Sequence, residues 1–395
     1  MKFSLALLAT VALATISQAA PVEKQVAGKP FQLVKNPHYQ ANATRAIFRA
    51  EKKYARHTAI PEQGKTIVKS AASGTGSVPM TDVDYDVEYY ATVSVGTPAQ
   101  SIKLDFDTGS SDLWFSSTLC TSCGSKSFDP TKSSTYKKVG KSWQISYGDG
   151  SSASGITATD NVELGGLKIT GQTIELATRE SSSFSSGAID GILGLGFDTI
   201  STVAGTKTPV DNLISQNLIS KPIFGVWLGK QSEGGGGEYV FGGYNTDHID
   251  GSLTTVKVDN SQGWYGVTVS GLKVGSKSVA SSFDGILDTG TTLLIFDQAT
   301  GSKVAAAYGA KDNGDGTYTI SCDQSKLQPL ALTMGGKDFF VPADSLIYVK
   351  QGSQCIAGFG YSSMDFAIIG DTFLKNNYVV FNQGVPEVQI APSKA

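Results

Sequence analysis

Histidine is almost missing from this chain. Among 395 residues there are three, His38, His57 and His248, and only His248 lies outside the basic front segment described below. A serine nucleophile of the triad kind needs a histidine base, a papain-like cysteine needs one as well, and the usual hydrolytic zinc sites take at least two. A single body histidine between Asp247 and Ile249 supports none of these, so hydrolytic chemistry here falls to carboxylates. No metal and no cofactor is expected.

Charge is also sparse, at 17% against 40% hydrophobic residues, which leaves ample material for a core. Long apolar runs are missing after the first twenty residues, and none later is long enough to cross a bilayer. The start reads as a secretory signal over residues 1–19, with Lys2, an apolar stretch from Leu5 to Ile16 and small residues at Ser17-Gln18-Ala19. The mature protein is therefore expected outside the cell, with a vacuole as the alternative, and free of membrane. Cysteines number four. In a secreted chain they should pair. Three connectivities are open, and the most local, Cys120–Cys123 with Cys322–Cys355, is the expected one. A redox role for Cys120-x-x-Cys123 is the weaker reading, since the motif sits in a Ser/Thr/Gly-rich loop and not at a helix start.

What is abundant is glycine, 45 residues of it, with many Ser, Thr and β-branched runs. This composition points to a strand- and turn-rich fold, with room for two domains or one large bilobal unit. The charge divides sharply. From Pro21 to Ala72 there are ten Lys/Arg and three Asp/Glu, a net of +7; from Ser73 onward 21 Lys/Arg face 32 Asp/Glu, a net of −11. A basic arm can bind nucleic acid, but on a secreted chain with an acidic body a removable pro-segment held in cis by Coulomb attraction fits better. The pro-segment is assigned to 20–72, with its end between 69 and 77. Helix is expected around Arg45–Arg49 and Lys52–Arg56, and a loose Gly/Ser/Thr linker over Ser70–Ser77. Asn42-Ala43-Thr44 is a glycosylation acceptor by pattern.

The tetrad Asp-Thr-Gly-Ser/Thr occurs twice, as Asp107-Thr108-Gly109-Ser110 and Asp288-Thr289-Gly290-Thr291. The first closes Ile102–Asp107, where apolar and polar residues alternate as in a strand with one buried face; the second closes the more uniformly apolar Phe283–Leu287. Each is echoed downstream by two apolar residues and a glycine: Ile192-Leu193-Gly194, 87 positions after Asp107, and Ile368-Ile369-Gly370, 82 after Asp288. The matched order marks the same strand in two related halves, 73–246 and 247–395. The glycines there let another backbone approach closely.

These landmarks, with Asp107–Trp114, Ser146–Ser151, Asp288–Leu293 and Ile368–Leu374, resemble the pepsin-type aspartic proteases, in particular their fungal, rhizopuspepsin-like members, from about Val78 to the C-terminus. The resemblance implies an all-β, bilobal fold, mainly β with a few short helices, and with the cleft between pseudo-twofold-related lobes. It implies a monomeric acid endopeptidase that takes protein and peptide substrates and prefers large apolar side chains. Asp107 and Asp288 become the catalytic pair. Thr108 and Thr289 lock the two loops, Gly109 and Gly290 clear space, and Ser110 and Thr291 bond the outer carboxylate oxygens. Tyr147, Gly148 and Asp149 form a mobile flap, with Tyr147 reaching Trp114, and Asp149 is expected to admit Lys before the scissile bond. Lys53-Tyr54 matches the inhibitory pair of the family's pro-segments, with Lys52 an adjacent register.

Three other readings fare worse. Asp105-Phe-Asp107-Thr108 has the shape of a phosphatase loop, but Gly109 stands where that motif wants Thr or Val. Asp312–Gly316 has glycines at would-be calcium ligands and reads as a hairpin turn. A catalytically dead binding protein of the same fold would usually lose an active-site Asp or the flap Tyr, and this chain keeps all three.

Overall fold

The computed structural model describes residues 42–54, 74–83, 88–121, 123, 127–146, 151–181, 184 and 189–394. The signal, most of the basic front segment and the flap residues Tyr147, Gly148 and Asp149 lie outside them.

Strands dominate, as the composition predicts. Thirteen join in one sheet, which opens with Thr254–Lys257, Glu387–Pro392 and Asn377–Asn382, crosses Ile223–Leu228 and Gly237–Phe241, passes through Gly76–Val83, Glu88–Val95 and Gln100–Asp107, and ends at Lys137–Ser146. An eight-stranded and a four-stranded sheet hold most of the remaining C-terminal half. The expected linker is shorter than the sequence suggests. Gly76 and Ser77 already pair with Phe241 and Val240, because Val78 and Met80 have an apolar face to bury there.

The two halves repeat one strand pattern. Gln100–Asp107 runs parallel to Gly191–Gly194, which runs antiparallel to Leu113–Ser116, itself parallel to Leu167–Glu180. In the other half Phe283–Leu287 runs parallel to Ala367–Ile369, which runs antiparallel to Leu294–Asp297, itself parallel to Gln354–Ser362. The glycines behave as their spacing predicts. A Cβ at Gly194 would lie 2.5 Å from the Ser111 backbone, and one at Gly370 would meet the carbonyls of Thr291 and Leu293. Gly370 itself stands one residue past its strand, as the N-cap of the short helix Asp371–Leu374.

The alternation read in Ile102–Asp107 stops halfway. Lys103 is exposed, but Leu104, Asp105, Phe106 and Asp107 are all buried, since the strand ends between the two halves and has no solvent face left. Both disulfides have the expected partners, Cys120–Cys123 and Cys322–Cys355. Asp312–Gly316 is the hairpin turn, closed by Asn313 N–H to the Thr317 carbonyl at 3.1 Å. His248 is half-buried, with its ring stacked 3.6 Å from that of Trp227.

In the front segment a helix spans Ala43–Tyr54. Asn42 caps it, its Oδ1 accepting from Arg45 N–H at 3.0 Å. Ala43, Ile47, Ala50 and Tyr54 fall on one buried stripe, and Lys52 and Lys53 suit the negative end of the helix. The stripe packs on Trp264, Ile286, Leu293, Ile295, Ile356 and Ile368 of the C-terminal half, in one cluster with Ile200 of the N-terminal half.

Candidate active site

The two tetrads meet. Each is a turn at the end of a strand, and each Asp is pinned by its own loop. Gly109 N–H donates to Asp107 Oδ1 at 2.8 Å and Ser110 Oγ to Oδ2 at 2.5 Å. Gly290 N–H donates to Asp288 Oδ1 at 3.0 Å and Thr291 Oγ1 to Oδ2 at 2.5 Å. The threonines then tie loop to loop. Thr108 Oγ1 donates to the Leu287 carbonyl at 2.8 Å and accepts from Thr289 N–H at 3.0 Å; Thr289 Oγ1 donates to the Phe106 carbonyl at 2.6 Å and accepts from Thr108 N–H at 3.0 Å. Four buried backbone groups are satisfied by two hydroxyls, so neither carboxylate can move without the other.

A Cβ on Gly109 would meet Tyr54 OH and would lie 2.5 Å from Lys53 Nζ and 2.6 Å from Asp288 Oδ1, and one on Gly290 2.5 Å from Asp107 Cγ. Each glycine makes room for the carboxylate of the opposite loop, and Gly109 also for the front-segment side chains that lie over the pair.

Lys53 ends between the pair. Its Nζ stands 2.6 Å from Asp107 Oδ1, 3.0 Å from Asp288 Oδ1 and 3.1 Å from Asp288 Oδ2. Tyr54 OH donates to Asp288 Oδ2 at 2.5 Å, and its ring meets Trp264 edge-on at 4.9 Å. Lys52 is exposed, so of the two registers Lys53 is the one that reaches the pair. Asn42 is exposed at the far end of the helix.

Burial and charge split the two acids. Burial pushes Asp107 above the ordinary carboxyl range; Lys53 opposes this and Asp288 adds to it. Burial acts on Asp288 too, but Lys53 and hydrogen bonds from Asp107, Thr291 and Tyr54 outweigh it and hold Asp288 at about 2. Burial would strip the proton from Lys53, yet the two carboxylates raise it above its usual value. The arrangement is one cation on a pair of acids with opposite tendencies, able to give and to take a proton at one spot.

Several buried acids nearby were not picked out as functional from the sequence. Asp105 is pushed well above its ordinary range by burial, then by Asp107 and Glu88; Asp371 is pushed up by burial, then by Asp105 and Asp288. Asp112, at the end of the first loop, accepts from Ser201 Oγ at 2.8 Å and Thr202 N–H at 2.9 Å. Glu175 lies fully buried beyond it. The available signal was an acid inside an apolar run, Ile174-Glu175-Leu176-Ala177. Trp114 is buried with its ring 4.9 Å from that of Phe184 and 5.9 Å from that of Trp143.

A family model described as "Eukaryotic aspartyl protease" matches residues 88–393. The chain is 62% identical to rhizopuspepsin of Rhizopus chinensis over 396 residues, covering 99% of both chains. It is 62% identical to rhizopuspepsin-2 of Rhizopus niveus, over 98% of this chain and 97% of the relative. Endothiapepsin of Cryphonectria parasitica is 39% identical, over 89% of this chain and 87% of the relative.

Proposed function

We propose that Asp107 and Asp288 are the catalytic dyad of this chain, which belongs to the eukaryotic aspartyl protease family and is a pepsin-like, bilobal aspartic endopeptidase. The observation that carries the assignment is the contact of both carboxylates with one atom, Lys53 Nζ. Two acids brought this close, from duplicated loops, share protons as a unit. In turnover a water would stand where that ammonium stands. One carboxylate takes a proton from the water as its oxygen attacks the peptide carbonyl; the other acid gives a proton to the departing amine. Thr108, Thr289, Ser110 and Thr291 hold the pair in place.

The remaining roles extend the same reading. The lobes divide near 246/247, Tyr147, Gly148 and Asp149 close over large apolar side chains of a bound peptide, and Asp149 receives a lysine before the scissile bond. Turnover of matched Phe- and Lys-containing peptides tests the last point: Asp149→Ala should lose Lys cleavage selectively, and an unchanged ratio would sink it.

The chain is made as a zymogen, secreted by way of residues 1–19, with the segment up to about residue 72 as its inhibitor in cis. Support comes from the +7 against −11 charge division and from the helix whose Lys53 and Tyr54 cover the dyad. Release in acid would be stepwise. Asp107, with its raised pKa, takes a proton first and removes one counter-charge of Lys53. Asp288, depressed to about 2, contributes stability that is whole above the ordinary carboxyl range and lost as pH falls toward 2. The cut then falls ahead of the paired strand that begins at Gly76. The test is acid incubation of the purified full chain with a peptide library, mapping the new N-terminus and the cleavage sites. Cleavage of added peptides and loss of the front segment are expected. Loss of the segment from purified Asp288→Asn chain would count against self-processing, and absence of peptide cleavage by the unaltered chain would overturn the dyad.

A further inference from the structure

Asn42, Ala43 and Thr44 form the one Asn-x-Ser/Thr acceptor in the 395 residues, and each has a distinct place in the structure. Asn42 is exposed. Its Oδ1 caps the front helix by accepting from Arg45 N–H at 3.0 Å. The cap uses Oδ1 alone, and Nδ2 makes no hydrogen bond among the described residues. An amide that carries a sugar on Nδ2 still presents Oδ1, so sugar and cap are compatible.

The other two residues are taken up by docking. Ala43 is 6% exposed and lies in the apolar cluster with Ile47, Ala50 and Tyr54. Thr44 Oγ1 donates to Asp315 Oδ2 at 2.7 Å, on the hairpin turn of the C-terminal half. One helical turn on, Ile47 is seated against two glycines of that half: a Cβ on Gly360 would lie 2.6 Å from its Cδ1, and one on Gly316 3.1 Å. An enzyme that reads this acceptor must reach the asparagine amide and the hydroxyl two residues on. In the docked helix that hydroxyl is bonded and the residue between is buried. Asp315 lies 271 positions after Thr44, so the tripeptide stays open to such an enzyme until the C-terminal half has folded.

We propose that Asn42 carries an N-linked oligosaccharide, attached before the front helix docks and removed with the front segment on activation. The proposal rests on the reading of the chain as a secreted zymogen. The donor is a lipid-diphosphate-linked oligosaccharide. Asn42 Nδ2 attacks C1 of its first sugar; the N–C1 bond forms, the C1–O bond breaks, the lipid diphosphate leaves, and one Nδ2 proton passes to solvent. No second acceptor lies in residues 73–395, so the mature chain carries no N-linked sugar. The sugar distinguishes the full chain from the processed one.

The test is secretion of the full chain from a eukaryotic host that makes N-linked sugars, with Asp288→Asn present to retain the segment. Peptide mass mapping should find the oligosaccharide on Asn42, and an endoglycosidase should increase the chain's mobility. Asn42→Asp keeps a capping oxygen and should abolish that shift; Thr44→Ser keeps the acceptor and should preserve it. The Asp288→Asn chain folded without sugar should stay unmodified by a microsomal transferase that modifies a peptide of residues 38–48. A secreted chain bare at Asn42, or a folded chain modified as fast as the peptide, would overturn the proposal. Acid treatment of the chain with both aspartates intact reports release of the segment by the new N-terminus, with or without sugar, so the zymogen reading and this one fail separately.

Discussion

Five residues past Asp107 the chain places Asp112; five past Asp288 it places Leu293. Two residues before Asp107 stands Asp105; two before Asp288 stands Ile286. The two loops share hydrogen-bond geometry almost atom for atom, including the mirrored threonine bonds. Their surroundings differ. Along the sequence the first is flanked by buried acids and the second by Ile286 and Leu293 in the apolar cluster that receives the front helix, although buried Asp371 donates its N–H to the Thr291 carbonyl of the second loop. Lys53 contacts both carboxylates, but Tyr54 bonds only Asp288. Geometry is thus supplied by the repeat, and the electrical asymmetry of the pair by what surrounds it. A symmetric pair of acids acquires one member that holds its proton and one that sheds it.

The largest effect should come from the pair itself. Asp107→Asn and Asp288→Asn should each lower kcat for peptide cleavage by about a thousandfold or more, since each removes the general acid–base unit. A large difference between them would mean that the two loops are not functional equivalents. Next, Thr108→Val should destabilise the fold by about 3 kcal/mol, because it strands the buried Leu287 carbonyl and Thr289 N–H; Thr289→Val should cost less, because the Phe106 carbonyl still accepts from Tyr239 OH at 3.2 Å. Denaturant midpoints should show the smaller loss for Thr289→Val, and equal losses would mean that the Tyr239 bond does not compensate.

Asp105→Asn tests the flanking charge. The folded Asp105 has a raised pKa, so it costs nothing in strong acid and destabilises progressively as pH rises above the unfolded carboxyl range. The variant should gain stability on the parent between pH 3 and pH 6, read from thermal melts at both. A constant offset would show that the charge around Asp107 is already compensated. The smallest effect concerns the front helix on the C-terminal half. Glu51 Oε1 accepts from Ser363 N–H at 2.7 Å at an exposed edge. Glu51→Gln should move the stability of the full chain by less than about 1 kcal/mol, while Lys53→Met, if the front segment is released in acid as proposed, should shift the pH of that release upward.

Much of this was legible before any coordinates. The duplicated tetrads, their echoing glycines and the disulfide partners are local patterns, and local patterns survive in sequence. The shortage of histidine left carboxylates as the candidate catalytic groups. What could not be read was burial at the meeting of the halves. Asp105 looks like the polar side of an alternating strand because period alone carries no record of a second half closing over it. Glu175 is hidden for a related reason: its register partner Trp114 is 61 positions away and comes beside it only through a parallel pairing. The helix of the front segment was legible in outline, from its charges; that Lys53 and not Lys52 reaches the pair depends on which stripe is buried.

The thirteen-stranded sheet also sets an order of events during synthesis. Ile223–Leu228 pairs with Asn377–Asn382, which pairs with Glu387–Pro392. The sheet that supports Asp107 therefore lacks two of its strands until the last twenty or so codons have been read. The helix Ala43–Tyr54 emerges early, yet apart from Ile200 the surface that buries it is made of residues between 264 and 368. The helix leaves the ribosome well before the surface it packs on, and waits for it.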